Sequence, residues 1–167
     1  MNKADFKLSA LDIELAVVEF FNPRQNLIVP NVWWSYFKHE CDLLVLTKSN
    51  YAYEIEIKTT LSDLKKDLLK KHGHYDHKIK RLYFAIPESL EKHIVHIPER
   101  AGVLAVKPRQ GRTFSGEKII YTHLSVLRKA KDTSKYKFSN EDRYNLARLG
   151  TMRVWKLKQK LQGGKNV

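Results

Sequence analysis

A single cysteine among 167 residues excludes an internal disulfide framework, so the chain must be held by a packed core, and its length suffices to bury one. No apolar run approaches the ~20 residues that span a bilayer, and the opening MNKADFKLSALDIE lacks the basic start and apolar stretch of a secretory leader. Together these absences predict a soluble protein of a reducing compartment, the cytoplasm, with no membrane partner. No internal repeat and no low-complexity linker divides the sequence, which predicts one domain over 1–167.

Acidic residues are also in short supply, and unevenly so. Asp and Glu number 18 against 31 Lys and Arg, a net charge of +13. Residues 1–60 hold 6 Lys and Arg against 8 Asp and Glu, whereas residues 61–167 hold 25 against 10. An acidic portion followed by one of net +15 suits a chain that grips a polyanion while keeping a local carboxylate cluster for cations. The plain alternative is a basic surface with no such partner.

The acidic portion carries the most informative pattern. Residues 51–58, YAYEIEIK, alternate strictly, which predicts a strand with Tyr51, Tyr53, Ile55 and Ile57 on one face and Ala52, Glu54, Glu56 and Lys58 on the other. Residues 42–47, DLLVLT, read as a short buried strand, and Lys48-Ser49-Asn50 as a three-residue turn with Asn50 in the left-handed position. Pairing Thr47 with Tyr51 then sets Asp42 opposite Glu56, roughly 5 Å apart on one face, and Glu40 opposite Lys58. Two facing carboxylates repel and are costly to leave ionised without a partner. A divalent cation answers that cost, because Mg2+ takes oxygen ligands, typically one or two carboxylates, and keeps several waters. Lys58, on the same face, can touch a bound water or a phosphate under attack. The competing interpretation is a solvated acidic strand face with a Glu40–Lys58 ion pair.

A third carboxylate is expected to join them. Ser9 and Asp12 form a capping pair for a helix over 11–21, and on its wheel Asp12 and Glu19 share the polar side while Glu14 falls between Val18 and Phe21 on the apolar side. Burying an unpaired carboxylate costs on the order of several kcal/mol, so Glu14 is expected to reach the same metal.

These residues resemble the PD-(D/E)xK nuclease superfamily over roughly residues 9–106: Glu14 matches its first-helix Glu, Asp42 its motif Asp, and Glu56 and Lys58 the acidic residue and Lys of (D/E)xK. Cys41 stands where the family name has Pro, a position that contributes no catalytic atom. The resemblance implies an α/β, restriction-endonuclease-like core in which a mixed central sheet is flanked by helices in the order αβββαβ. It also implies Mg2+, with Mn2+ as a substitute, held by Asp42, Glu56, the Ile57 carbonyl and Glu14, with Glu14, Asp42, Glu56 and Lys58 as the catalytic set. Glu54 and Glu40 share the site face, and Glu40 is expected to neutralise or position Lys58.

Past the motif, Thr60 and Asp63 form a capping pair for a helix to about Lys71, with Leu61, Leu64, Leu68 and Leu69 inward and Lys65, Lys66, Lys70 and Lys71 on the surface. In the family this helix contacts the nucleic-acid backbone. His72 to His77, taken with Cys41, fits no common structural zinc spacing, so the stretch reads as a substrate-facing loop in which Tyr75 stacks on a base. Residues 82–86 and 103–106 read as buried strands joined by a helix near 88–95, an alternation that favours a parallel crossover. Residues 107–112 read as a basic turn-rich loop with Arg109 and Arg112 exposed for phosphate contact, and 118–123 as the strand returning from it. A final helix from Ser139 to about Leu161 is expected to pack Ala147, Gly150, Val154, Leu157 and Leu161 on the sheet, with Gly150 as a site for a bend.

The expected function is Mg2+-dependent hydrolysis of DNA in repair, recombination or phage DNA processing. Lys65, Lys66, Lys70, Tyr75, Arg109 and Arg112 are the expected nucleic-acid contacts. The alternatives are a silent DNA-binding module of nuclease fold and an RNA-directed ribonuclease; whether the protein acts as a homodimer stays open.

Overall fold

The computed structural model describes residues 7–33, 39–67 and 74–163. In chain order it comprises helix α1 (Ala10–Phe20), strands β1 (Leu27–Val32), β2 (Cys41–Leu46) and β3 (Ala52–Ile57), helix α2 (Leu61–Asp67), strand β4 (Ile79–Pro87), a 3-10 helix (Glu88–His96), strands β5 (Gly102–Arg112) and β6 (Lys118–Arg128), and helix α3 (Asn140–Gly163). The strands lie side by side in sequence order in one six-stranded sheet. The β1–β2–β3 meander is antiparallel, β4 and β5 join in parallel, and β6 returns antiparallel. This is a mixed α/β sheet flanked by helices, and the parallel crossover expected between β4 and β5 is present.

Local chemistry sets the boundaries. Ser9 caps α1 in a reciprocal box with Asp12, which satisfies two otherwise orphaned groups at the helix start. Ser139 and Asp142 do the same for α3, and Thr60 Oγ1 accepts from the Asp63 N–H at the start of α2. Asn50, at φ 64°, occupies the left-handed turn position expected of it. Pro30 sits in β1, an edge strand, where a missing N–H costs no ladder bond. The segment over 88–96 winds as 3-10 turns: His93 and His96, three apart, stack 6.3 Å apart at 19°, as an eclipsed i, i+3 pair does.

Alternation in the strands divides the core into two layers. On one face, Ile13, Ala16 and Val17 of α1 pack on Leu43, Val45, Ile55, Ala85 and Leu104. On the other, Leu146 of α3 closes a cluster with Val29, Leu44, Leu46 and Ala52, while Leu64 of α2 closes another with Phe84, Ile86 and Val103. Between these two apolar clusters, β3 presents Glu54 and Glu56, and Lys58 follows its last residue.

Two expectations are corrected here. Residues 107–112 are no loop: they continue β5, paired residue for residue with 118–123, and the turn lies at Thr113–Glu117. Alternation therefore points Arg109 and Arg112 to opposite faces of the hairpin. The C-terminal helix packs only by its first half. Leu146 is buried and Gly150 rests against Val29, but Val154, Leu157 and Leu161 are 52%, 58% and 65% exposed. A 24-residue helix is about 36 Å long and α3 meets the sheet along edge strand β1, so it outruns its support. It also runs through Gly150 without a break.

Candidate active site

The β2–β3 ladder ends at the pair Leu43↔Ile55. One step further the same register would set Asp42 opposite Glu56, but here the strands part. The Ile57 N–H, with no β2 backbone to meet, donates to Asp42 Oδ2 at 2.7 Å, while the next N–H, of Lys58, donates to the Ala85 carbonyl of β4 at 3.0 Å. Because N–H and C=O of one strand residue point the same way, the Ile57 carbonyl is directed into this gap as well.

Charge is concentrated at the gap. Glu56 is 2% exposed, and burial together with the Asp42 carboxylate raises its pKa despite the ammonium of Lys58. Glu14, half-buried at the margin of the α1 stripe, is raised by burial and again by Asp42. Asp42 thus acts electrostatically on both Glu14 and Glu56, and Lys58 pairs with Glu56; among the described residues, however, the donor atoms lying within 4.8 Å of one another are those of Glu56, Asp67 and His74 and those of His39, Glu54 and His74, and Glu14 and Asp42 fall in neither set. An all-oxygen set of Asp42, Glu56, Glu14 and the Ile57 carbonyl is the donor chemistry that Mg2+ or Mn2+ takes.

The acidic face of β3 is not solvated, which removes the competing interpretation. Glu54, Glu56 and Lys58 are all buried. Lys58 Nζ lies 2.7 Å from Glu56 Oε2 and 3.1 Å from Asp67 Oδ1, and these two carboxylates raise its pKa against the effect of burial. Glu40 is exposed, and its expected role as the partner of Lys58 falls to Asp67.

The network continues inward. Asp67 Oδ2 is 2.7 Å from His74 Nε2, His74 Nδ1 is 2.7 Å from Glu54 Oε1, and that oxygen is also 2.7 Å from His39 Nε2. Burial would raise Glu54, yet the two histidines hold its carboxyl below the ordinary value. His74 adopts φ 56°, an uncommon conformation for a residue with a Cβ, which is how it turns into the cluster. Cys41 stands apart with its thiol on the Val32 carbonyl, and burial pushes its pKa up.

His39 and Asp67 were not legible as site residues, His74 lay in the 72–77 stretch read as a substrate-facing loop, and Glu54 was read only as a neighbour. A signal for Asp67 existed: three residues after Leu64, it lies on the apolar stripe of α2, by the same argument that selects Glu14. The expected nucleic-acid contacts are dispersed. Lys65 and Lys66 are exposed on α2, Arg109 and Arg112 on the far end of β5, and Lys70 falls outside the described residues. Tyr75 is exposed, and the Arg100 guanidinium covers its ring at 3.8 Å. Because β3, β4 and β5 are parallel, Lys58 and the basic extension of β5 emerge at the same end of the sheet. Register places Arg109 on the face that bears Glu56, and Arg112 on the face of α1.

A stability prediction arises directly from His74. Burial would lower its pKa, but hydrogen bonds to Asp67 and Glu54 raise it to about 9 from an ordinary 6.5. Its contribution is therefore complete below about pH 6.5 and lost as pH rises through about 9. The melting temperature of the wild type is expected to fall across that interval, and His74→Gln to flatten the slope. An equally steep fall in the variant contradicts the assignment.

No family model and no curated protein matches this chain. Among solved structures, a protein of unknown function from Silicibacter pomeroyi is similar in fold, with a TM-score of 0.61 at 15% identity over 97% of each chain. The likeness extends over nearly the full length of both, and at that identity it speaks to fold alone. Among the described residues, no helix is long and apolar enough to cross a membrane.

Proposed function

We propose that this chain is a metal-dependent deoxyribonuclease with a restriction-endonuclease-like core of the PD-(D/E)xK type. The observation that carries this reading is the parting of β2 and β3, where the Ile57 N–H donates to Asp42, the Asp42 charge acts on Glu56 and Lys58 is held beside Glu56. Mg2+ held by Asp42, Glu56, Glu14 and the Ile57 carbonyl would supply charge against the scissile phosphate and a water of lowered pKa. The protein's own part is positional. Asp67 and Glu56 fix the Lys58 ammonium at the carboxylate pair, where it offsets the charge that develops on the phosphate. The burial of Glu56 strengthens each of these electrostatic interactions.

Two basic features supply a path for the polyanion. The β5–β6 hairpin extends from the same sheet end, with Arg109 on the site face. An open groove of about 780 Å3 between β1 and α3 runs from Glu14 past Arg153, Lys156 and Lys160. DNA affinity is expected to fall steeply with salt, and neutralising Arg109 to lower the slope of log K against log salt by about one unit. Arg112, on the other face, is expected to change it less. Equal slopes for wild type and both variants would remove the hairpin from the interface.

The reading is tested by incubating the protein with single-stranded, duplex, flapped and four-way-junction DNA and an RNA of matched sequence, with Mg2+, with Mn2+ and with chelator. At least one DNA should be cut, and only with metal. Tight DNA binding with no cleavage under any condition would make the chain a binding module, and cleavage of RNA alone a ribonuclease.

A further inference from the structure

Beneath the proposed nuclease site lies a donor set that phosphodiester hydrolysis does not use. His39 Nε2 and His74 Nδ1 approach the same atom, Glu54 Oε1, and the three ligand atoms all lie within 4.8 Å of one another. The two imidazoles meet edge to face, with centroids 5.0 Å apart at 87°. All three residues are buried.

We propose that His39, Glu54 and His74 form a second metal site, for a borderline divalent ion such as Zn2+, that pins His39 and His74 to strand β3. Two imidazole nitrogens and one carboxylate suit Zn2+ or Co2+, whereas Mg2+ prefers oxygen throughout and is expected at the Asp42 gap instead. His74 also has the support that ligating histidines carry: its remote nitrogen is bound to the carboxylate of Asp67 at 2.7 Å, an arrangement that fixes ring orientation and raises basicity. To take the ion, the ring nitrogens that face Glu54 give up their protons to solvent, so that His39 and His74 coordinate as neutral imidazoles beside the Glu54 carboxylate, and binding tightens as pH rises. The donors are 15 and 20 positions apart in sequence, so no short zinc spacing announces them.

The test is titration of chelator-washed full-length protein with Co2+, read by visible absorption, followed by displacement with Zn2+. One equivalent should bind with the intense d–d bands of a low-coordinate site, and Zn2+ should bleach them. His39→Gln should abolish the bands, Asp42→Asn should keep them, and Asp67→Asn should weaken affinity by roughly 10- to 100-fold without being a ligand. Circular dichroism on each variant guards against misfolding. Folded wild type that gives no bands, or bands lost in Asp42→Asn and kept in His39→Gln, would overturn the proposal. The result is independent of nuclease activity, since a chain that cuts no DNA can still bind Co2+ here.

Discussion

Asp42→Asn is expected to lose cleavage by on the order of a hundredfold or more while its metal-free fold becomes no less stable. Asparagine keeps an oxygen where the Ile57 N–H donates at 2.7 Å, so the local backbone retains its partner. What disappears is the negative charge. In the wild type, burial and then that charge raise both Glu14 and Glu56, and the charge is a repulsion that the metal-free protein carries. Its removal should bring both carboxyls back toward ordinary values, and thermal melting in chelator should show a Tm equal to or above wild type. A variant that loses activity because it unfolds would mean that Asp42 is structural.

Lys58→Ala is expected to damage both rate and fold, and the two can be separated. Its ammonium is buried between Glu56 and Asp67, and removing one partner of a buried ion pair leaves charge uncompensated at a cost of about 3–5 kcal/mol. For a chain of this size the first few kcal/mol lower Tm by about 6–12 °C. Adding Asp67→Asn to Lys58→Ala removes one stranded carboxylate and should recover part of that stability. It should recover none of the cleavage rate, because the ammonium is still missing. Recovery of rate along with stability would reduce Lys58 to a structural ion.

The sequence made the site legible wherever it lay within one hairpin. Strict alternation in 51–58 and a three-residue turn fix a register that would set Asp42 opposite Glu56; the structure keeps that register from Leu46↔Ala52 to Leu43↔Ile55 and opens one pair short of the two carboxylates. Glu14 was legible for a different reason, as a carboxylate out of place on an apolar stripe. The burial of the acidic face was not legible. It depends on what covers β3, and the covering residues, His39, Asp67 and His74, come from three segments that no local period connects. The 107–112 segment misled because Pro108 and Gly111 resemble turn residues. Near the free end of a long hairpin both are accommodated within the strand. The α3 stripe misled because periodicity reports which residues share a face, not how far the sheet beneath extends.

If the β2–β3 gap is a metal site, crystals soaked in Mn2+ should show an anomalous-scattering peak within coordination distance of both Asp42 and Glu56, absent from Asp42→Asn crystals. Ordered crystals with no peak at that gap, whether or not one appears at His39 and His74, would contradict it.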